Sequence, residues 1–516
     1  MPKILMVISL LLALSCVAIA GDVLWFNRYT LDGGYSDITF SMAIDEQGDI
    51  YTAGLISHAP PPDRGYPILH GLIMKYSSSG ERVWVRDVGN PSDAYGNFWD
   101  IVYDGAGHIY VGGLSQGENS TTAWDFSVVK YSTDGDSLWS FVYPTSGPIT
   151  GNEYSNDFCG KLAFDGSGNI YAAGVRNNDA NRADFLLVKL TPDGDTVWTR
   201  GANESYINDD VFNDLVVDEL GNAYISGSIP DENWIYLDVV IKYLADGTTA
   251  WLDTTALADS TGHGSNLALD NTGNLYAFST SGGHQFLTKY AANGNHLYDI
   301  ALNGAIETAN LTVDKSGNVI IARPNQNYRL LGSGLIITKY NAEGDEIWSR
   351  NYSAPANRVF APTKLMSDNN NNIYVLHSID SAYNYYNNYE VLKIDEAGTL
   401  TATRTCPQSL SPDFMAGDMG FDPAGNIYIS GAADFPATGE DAVSIKHSYF
   451  LCGDGDGNEI VNILDISYFI RYLYKSGMAP KAFEAGDADG NSIINILDIA
   501  RLVNFLYRGG AEPICH

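Results

Sequence analysis

The sequence predicts a mainly β fold, an eight-bladed β-propeller, followed by a small C-terminal α-helical domain. Two observations lead to this prediction. A repeat of about 54 residues fills most of the chain, and two related acidic loops near its end each precede an apolar pattern with helical spacing. A repeat of this length that carries four short apolar runs is typical of a propeller blade.

The first 20 residues have the pattern of a secretory signal peptide. Lys3 precedes a short apolar run, and an A-x-A pattern ends at Ala20. We therefore expect residues 1–20 to be removed and the mature chain to be secreted, either extracellular or attached to a cell surface. Cys16 leaves a lipoprotein as the alternative. No later run of about 18 apolar residues follows, so no membrane span is predicted.

Residues 21–449 repeat two short phrases. The first, DGSGNIY at 165–171 in one copy, occurs eight times. The second, VKYSTDGDSLW at 129–139, follows the first in each copy, although the eighth copy keeps only SIKHSY at 444–449. Each copy therefore offers up to four short strands with Gly-containing turns between them, which corresponds to one blade.

The eighth copy lacks a fourth strand, and VLWFNRY at 23–29 is predicted to supply it and close the ring. A seven-bladed ring is the alternative if one copy is degenerate. The sixth is the best candidate, because Asp314 follows Asp270 by only 44 residues. The phrases resemble the bacterial propeller repeats known as SBBP, and this resemblance implies the fold without implying one function.

Two recurring residue types in the repeat are predicted to be structural. The Asp of the first phrase should accept backbone N–H groups in a tight hairpin, where Gly supplies a positive φ, rather than bind calcium. The Trp of the second phrase should pack between blades rather than bind sugars. These are Trp84, Trp139, Trp198, Trp251 and Trp348.

The strand before each first phrase is predicted to surround the propeller axis. Three residues before the phrase every copy is apolar, and four residues before it every copy is polar. Strand side chains alternate between faces, so the polar set should line a central channel. We expect this channel to be filled with solvent, and a ligand or ion site on the axis is the alternative. The polar set is Ser41, Asp100, Lys161, Asp214, Asn266, Asn310, Lys364 and Asp418.

The long connections of the repeat should gather on one face of the propeller. They join the second strand of a blade to the third, or one blade to the next. Long loops on a rigid face are a common recognition surface, so a polysaccharide or protein ligand is expected there. The longest are 57–69, 115–124, 144–156 and 380–390.

Charge and motifs limit the function classes. The net charge of −33 argues against nucleic acid and anionic membranes as partners. No HExxH motif occurs, and the G-x-S-x-G match at 113–117 leads into a loop rather than a helix. We predict no catalytic residue and expect a non-enzymatic module. A hydrolase or lyase in polysaccharide catabolism is the alternative.

Two twelve-residue loops near the end of the chain are twins. DGDGNEIVNILD at 454–465 and DADGNSIINILD at 487–498 share oxygen-bearing residues at positions 1, 3, 5, 9 and 12. With the backbone carbonyl of position 7, this is the ligand spacing of an EF-hand calcium loop, so two calcium ions are predicted. The predicted ligands are Asp454, Asp456, Asn458, Ile460, Asn462, Asp465, Asp487, Asp489, Asn491, Ile493, Asn495 and Asp498.

Each loop leads into a predicted helix, and no helix is predicted before either loop. Gly477 and Gly509 should end the two helices. The tandem loop–helix pattern of residues 450–516 resembles the type I dockerin domain, which implies a calcium-folded module that binds a cohesin module of a scaffold. The family usually has Gly at loop position 6, where this chain has Glu459 and Ser492.

Loop positions 10 and 11 are the ones that this resemblance assigns to partner recognition. They are Ile463 and Leu464 in the first loop, and Ile496 and Leu497 in the second, where the family often has Ser-Thr. The substitution implies a cohesin-like partner with an apolar face. The alternative is that these side chains pack inside the domain or against the propeller.

Four cysteines remain after the predicted signal peptide, and an exported chain permits disulfides. Cys452 and Cys515 flank the C-terminal domain and could join its ends. The sequence does not decide whether Cys159 and Cys406 pair.

Overall fold

The structure is a computed structural model. The predicted signal peptide at 1–20 lies outside the residues that it describes. The described residues are 23–31, 36–60, 67–89, 96–115, 125–143, 157–177, 183–202, 210–230, 236–259, 265–281, 284–302, 309–326, 330–380, 388–405, 413–435, 438–448, 453–456, 461–480, 483–489, 493–510 and 513.

The repeat folds into eight four-stranded antiparallel sheets, each a blade. In the first four blades the strands follow the chain from the innermost to the outermost position. Blade 1 has β2 (Ile38–Ile44), β3 (Ile50–His58), β4 (Ile68–Tyr76) and β5 (Arg82–Val88). Blade 2 has β6 (Asn97–Tyr103), β7 (His108–Ser115), β8 (Asp125–Ser132) and β9 (Ser137–Tyr143). Blade 3 has β10 (Phe158–Phe164), β11 (Ile170–Asn177), β12 (Ala183–Leu190) and β13 (Thr196–Ala202). Blade 4 has β14 (Val211–Val217), β15 (Ala223–Pro230), β16 (Tyr236–Tyr243) and β17 (Thr249–Asp259).

The remaining blades follow the same order, except that the last takes a strand from the start of the chain. Blade 5 has β18 (Ser265–Leu269), β19 (Leu275–Ser281), β20 (His284–Tyr290) and β21 (His296–Leu302). Blade 6 has β22 (Asn310–Val313), β23 (Val319–Pro324), β24 (Leu335–Tyr340) and β25 (Glu346–Tyr352). Blade 7 has β26 (Val359–Ser367), β27 (Ile373–Asp380), β28 (Tyr389–Ile394) and β29 (Leu400–Thr405). Blade 8 has β30 (Asp413–Phe421), β31 (Ile427–Phe435), β32 (Gly439–His447) and β1 (Val23–Tyr29).

The predicted mainly β, eight-bladed fold is confirmed, and the seven-bladed alternative is wrong. The sixth copy forms a complete sheet in the order β22-β23-β24-β25. Its first strand has only four residues, Asn310–Val313. The short spacing before this copy therefore reflects shorter strands and connections, and no strand is lost.

The ring closes through the strand that precedes the first copy, as predicted. The last sheet has the order β1-β32-β31-β30, so β1 is its outermost strand. Arg28 on β1 donates hydrogen bonds to Asp441 and Thr438, and its guanidinium lies 3.8 Å from the ring centre of Phe435. Trp25 of the same strand is buried. Side chains as well as strand pairing therefore hold this seam.

The repeated Asp of the first phrase forms a hairpin turn. Asp45 Oδ1 accepts the backbone N–H groups of Gln47 at 3.0 Å and Asp49 at 2.9 Å, and Gly48 has a φ of +76°. In the copy that begins at Asp368, Asn371 takes the place of Gly with a φ of 60°. The carboxylate satisfies backbone donors that a tight turn leaves without partners. The repeated Asp therefore has a structural role.

The tryptophans of the second phrase contact the next blade. The indole N–H of Trp84 donates to the Thr133 carbonyl oxygen at 3.0 Å, and that of Trp139 donates to Pro192 at 3.0 Å. The Lys130 ammonium donates to the same Pro192 oxygen at 2.9 Å. These bonds join the outer parts of consecutive blades, so the predicted interblade role of these two tryptophans is confirmed.

Contacts divide the chain into two compact units, Arg28–Ser444 and a second that combines Ile445–His516 with the residues before Arg28. The division falls inside two paired strands. The domain boundaries predicted at 20/21 and 449/450 therefore stay predictions.

The C-terminal unit contains α1 (Ile463–Lys475), the short helix α2 (Phe483–Gly486) and α3 (Ile496–Arg508). The two long helices pack around Phe469 and Leu502, which are fully buried. Because α2 directly precedes the second loop, the prediction that no helix precedes either loop is wrong for that loop. No helix in the described part of the chain is long and apolar enough to cross a membrane.

The ends of the long helices differ by one detail. Gly509 takes the left-handed conformation at the end of α3, with a φ of 65°, as predicted. At the end of α1 the left-handed residue is Ser476, with a φ of 54°. Gly477 follows it, and its backbone N–H donates to the Arg471 carbonyl oxygen at 2.9 Å. The predicted end at Gly477 is therefore wrong by one residue.

Candidate functional site

The first acidic loop brings three carboxylates together. Oxygen atoms of Asp454, Asp456 and Asp465 all lie within 4.8 Å of one another. Asp465 is in the first turn of α1, where its Oδ2 accepts the backbone N–H of Asn462 at 2.8 Å. Its Oδ1 accepts the N–H of Gly455 at 3.0 Å. One carboxylate thus caps the helix and also holds the start of the loop against it.

The second loop repeats this arrangement. Oxygen atoms of Asp487, Asp489 and Asp498 lie within 4.8 Å of one another. Asp498 Oδ2 accepts the N–H of Asn495 at 2.7 Å, and its Oδ1 accepts the N–H of Asp489 at 3.1 Å. The two loops therefore have the same local architecture around positions 1, 3 and 12.

The carboxylate at position 12 is unfavourably placed for an anion. Burial raises the pKa of Asp465, and the neighbouring Asp456 raises it further. Burial likewise raises the pKa of Asp498, with Asp489 and Asp487 adding to the effect. A bound cation would offset both causes. Each described donor set consists of oxygen atoms, which suits a hard cation such as Ca²⁺.

The other predicted ligands are only partly described. Asn458, Ile460 and Asn491 lie outside the described residues. The side-chain oxygens of Asn462 and Asn495 accept the backbone N–H groups of Leu464 and Leu497, each at 2.8 Å. Position 9 is therefore the N-cap of each helix. The carbonyl oxygen of Ile493 accepts a bond from the Asn495 amide at 3.1 Å.

The apolar pairs at positions 10 and 11 are exposed. Ile463 and Leu464 are 55% and 61% exposed, and Ile496 and Leu497 are 52% and 61% exposed. These side chains therefore lie outside the core of the C-terminal unit, while their recognition role and the alternative of packing against the propeller both stay predictions. The cap at position 9 explains the exposure, because it makes each pair the first two residues of a helix. The buried face of the helix begins only afterwards, with the Asp at position 12.

The predicted channel residues surround one cavity in the propeller. It has a volume of about 520 Å³, and all eight of the predicted polar residues line it. Asp100 Oδ1 accepts the N–H of Ile101 at 3.1 Å, and its Oδ2 accepts the N–H of Leu162 in the next blade at 2.8 Å. A β-bulge lies just before Asp100 in β6. The carboxylate thus binds backbone donors of two blades.

The same device recurs at Asp214. It accepts the N–H groups of Leu215 and of Leu267 in the next blade, each at 2.9 Å. The Asp100 carboxylate, with weaker effects from other acidic groups of the ring, raises the pKa of Lys161 to about 12. These side chains already bond to the protein or face an opposite charge. A ligand site on the axis therefore stays a prediction without added support.

The predicted recognition loops lie largely outside the described residues, which omit 61–66, 116–124, 144–156 and 381–387. Cys406, Cys452 and Cys515 lie outside them as well. The Cys452–Cys515 disulfide therefore stays a prediction, and the pairing of Cys159 with Cys406 stays undecided. Cys159 is buried, and its Sγ lies 3.6 Å from the Lys161 carbonyl oxygen.

One cluster was not predicted from the sequence. His58, His70 and Asp87 meet in blade 1, with ligand atoms within 4.8 Å of one another. Sequence patterns gave no signal for it, because the three residues lie on different strands. Only the register of β3, β4 and β5 brings them together.

Comparison with protein families identifies the C-terminal unit. Residues 452–507 match the dockerin type I domain. This part of the chain is therefore a dockerin type I domain, and it follows the eight-bladed propeller. The SBBP type of the propeller repeat stays a prediction. No curated protein matches the sequence.

Several solved structures resemble this chain at low similarity. They include a eukaryotic initiation factor, with 10% identity over 82% of this chain and 91% of that chain and a TM-score of 0.43. Polysaccharide lyase Uly1 has 10% identity over 83% of this chain and 99% of that chain, with a TM-score of 0.41. The WD40 domain of SCAP from fission yeast has 10% identity over 82% of this chain and 98% of that chain, with a TM-score of 0.40. Similarity at this level carries no argument about fold or function.

Proposed function

We propose that this chain is a secreted, non-enzymatic recognition protein that a calcium-loaded dockerin attaches to a cohesin-type scaffold module. In this proposal the propeller binds a polysaccharide or a protein through its long-loop face, the face on which the long connections of the repeat are predicted to gather. The observation that carries the attachment is the exposure of matching apolar pairs at the start of both long helices. A dockerin domain typically belongs to an extracellular or cell-surface protein, which agrees with the predicted signal peptide.

Two calcium ions would be held by the twin acidic loops. The described carboxylates of each loop already converge, and the pKa of the buried position-12 carboxyl is raised in both. Ca²⁺ would neutralise this charge and tie each loop to the helix that follows it. The ligands would be Asp454, Asp456, Asn458, Ile460, Asn462 and Asp465 in one loop, and Asp487, Asp489, Asn491, Ile493, Asn495 and Asp498 in the other.

The apolar pairs would form the contact with the scaffold. Burial of an aliphatic side chain of this size stabilises by roughly 1.5–3 kcal/mol, so a pair supplies a substantial part of a binding energy. The partner should therefore present an apolar patch. Because both loops carry the same pair, two equivalent faces are available and either one would suffice.

The attachment is tested by exchanging the pairs in the calcium-loaded full chain. Ile463-Leu464→Ser-Thr or Ile496-Leu497→Ser-Thr alone should keep binding to a panel of cohesin modules, measured by calorimetry. Exchange of both pairs should abolish it while calcium uptake stays intact. Leu330-Leu331→Ser-Thr is the matched control, since these adjacent leucines are 55% and 46% exposed in the propeller. Unchanged binding after both exchanges would reject the proposal.

The propeller's role is tested separately. The full chain should bind members of a glycan or protein array without altering them. Hydrolysis or elimination on a panel of polysaccharides would replace the recognition role with polysaccharide degradation. The dockerin attachment would not be affected by that result.

A further inference from the structure

Three ligand-type side chains share one face of blade 1. His70 on β4 pairs with Ile56 on β3, and Leu72 on β4 pairs with Asp87 on β5. Residues two apart on a strand lie on the same face. His58 and Asp87 are therefore the diagonal neighbours of His70 on the two flanking strands, a position from which long side chains meet.

The side chains converge closely. His70 Nδ1 lies 2.5 Å from Asp87 Oδ1, and His58 Nε2 lies 2.9 Å from Asp87 Oδ2. The two imidazole ring centres are 4.3 Å apart. The backbone of three neighbouring strands fixes these positions, so the cluster is built on the rigid part of the blade rather than on a loop.

Both imidazoles retain polar atoms without a hydrogen bond. His70 is only 4% exposed, and its Nε2 is buried with no hydrogen-bond partner in the described chain. His58 Nε2 is also without a hydrogen bond there, although it lies 2.9 Å from Asp87 Oδ2. The distance between His58 Nε2 and Asp87 Oδ2 is short enough for an ion pair, but the two groups are not aligned for a hydrogen bond. A buried imidazole nitrogen without a partner is costly, and an ion held between the three side chains would supply the missing partner of His58 Nε2, the unsatisfied atom that faces Asp87.

The surroundings leave room for the imidazole. A Cβ at Gly89 would lie 2.4 Å from Cγ and Cδ2 of His70, so any larger residue there would displace the ring. On the other side the cluster is open to solvent, because the side chains of His58 and Asp87 are 28% and 38% exposed. Small rotations of His58 and Asp87 on this side would admit an ion to the three donors.

We propose that His58, His70 and Asp87 bind a Zn²⁺-class transition metal ion. Two imidazoles and one carboxylate suit a borderline metal, in contrast to the all-oxygen loops of the dockerin. Zinc bonds of about 2.0–2.2 Å place ligand atoms roughly 3.3 Å apart, a spacing that side-chain rotation within this cluster can reach. Three protein ligands leave a fourth position for water or for a donor atom of a bound molecule.

The fourth coordination position of the metal could be used by a ligand, because of where the cluster lies in blade 1. The cluster lies at the end of β3, the beginning of β4 and the end of β5. The β3–β4 connection and the connection to blade 2 both leave from that end, so the ion lies at the edge of the long-loop face. A carboxylate or hydroxyl of a molecule on that face would coordinate the metal directly.

Other histidines of the propeller provide a comparison. His108 lies 2.8 Å from Asp104, and His296 lies 2.9 Å from Asp299. Each is a simple pair of one imidazole with one carboxylate. Among the described residues, two imidazoles meet one carboxylate only in blade 1.

Calorimetry and visible absorption with Zn²⁺ and Co²⁺ test the site in the full chain, kept saturated with calcium. The wild type should bind one equivalent of Zn²⁺, and Co²⁺ should give the absorption of a site with imidazole ligands. Loss of an outer partner of a metal ligand costs about 10–100-fold, so His58→Gln and Asp87→Asn should each weaken binding by more than about 100-fold. His296→Gln is the matched control and should bind as the wild type does.

Two further measurements distinguish zinc held in blade 1 from zinc held by the dockerin loops or bound nonspecifically. Zn²⁺ should raise the Tm of the wild type but not that of Asp87→Asn, whose metal-free Tm shows whether it folds. Zinc uptake should persist in Asp454→Ala/Asp487→Ala, which removes one carboxylate from each dockerin loop. The proposal would be overturned if the calcium-saturated wild type took up no Zn²⁺. It would also be overturned if His58→Gln and Asp87→Asn bound Zn²⁺ as tightly as the wild type does.

Discussion

The Asp418 carboxylate on β30 accepts the backbone N–H of Met42 on β2 at 3.0 Å, and it thereby joins the last blade to the first. It also accepts the N–H of Met419 at 2.9 Å and pairs with the Lys364 ammonium at 2.8 Å. Asp100 makes the equivalent bonds between two consecutive blades. Near the propeller axis, the first and last blades are therefore joined by the same interaction that joins consecutive blades, a carboxylate that accepts backbone N–H groups from two blades.

Asp418→Ala should destabilise the propeller. The N–H groups of Met42 and Met419 would lose their acceptor in a buried setting, which typically costs about 1–3 kcal/mol per donor. Urea unfolding followed by tryptophan fluorescence would measure the loss. Asp134→Ala, in an exposed turn, is the control and should stay within about 0.5 kcal/mol of the wild type. An equally small effect for Asp418→Ala would contradict the seam assignment.

The stability of the propeller should depend on the protonation of Asp37. Burial raises the pKa of this carboxyl to about 6, although it accepts N–H bonds from Leu31 and Ser57. Since an unfolded Asp titrates near pH 4, the folded state retains a proton that the unfolded state releases between about pH 4 and pH 6. The stabilisation is full below that window and is lost as the pH rises through it.

Asp37→Asn removes this titration. The Tm of the wild type minus that of the variant should fall between pH 4 and pH 6, and it should be constant from pH 7 to pH 8. Other titrating groups cancel in the difference. A difference that does not change with pH would contradict the raised pKa.

Calcium should order the two dockerin loops. Without a cation, three carboxylates within 4.8 Å repel one another in each loop. Amide hydrogen exchange of α1 and α3 in the full chain should be slow with calcium and much faster in chelator, because metal binding to the folded form stabilises it. Calorimetry should find two sites, with Asp454→Ala and Asp487→Ala each removing one. Amide exchange rates that are the same with calcium and with chelator would count against both calcium sites.

The helix ends offer a reciprocal test. Ser476 takes the left-handed conformation that Gly509 takes in the twin, and this conformation costs a residue with a Cβ about 1–2 kcal/mol. Ser476→Gly should therefore slow amide exchange in α1, and Gly509→Ser should accelerate it in α3, in the calcium-loaded chain. Shifts in the same direction for both variants would show that the cap conformation does not decide helix stability.

Much of the fold could be predicted because the repeat is regular. The spacing of eight phrases determined the number of blades, and the alternation before each phrase identified the residues around the cavity. The closing strand followed from the missing fourth strand of the eighth copy and the strand-like run at 23–29. These inferences need only local patterns and a count, both of which are present in the sequence.

Other features depend on neighbours that a linear pattern does not reveal. Asp100 bonds to the next blade because a bulge and an adjacent strand expose backbone donors to it. His58, His70 and Asp87 meet only through the register of two hairpins. The helix α2 is too short to show a period, and Ser476 replaces the glycine that usually marks a helix end.

The pairing of the first strand with the last has a consequence for how the chain folds. Arg28 and its partner Asp441 are 413 residues apart, so this contact can form only after almost the whole propeller has been synthesised. Until then β1 has no strand to pair with, and the final sheet has an open edge. Contacts between distant residues slow folding. Ring closure therefore comes late, and a chain that stops before β32 never completes it, so closure distinguishes complete chains from truncated ones.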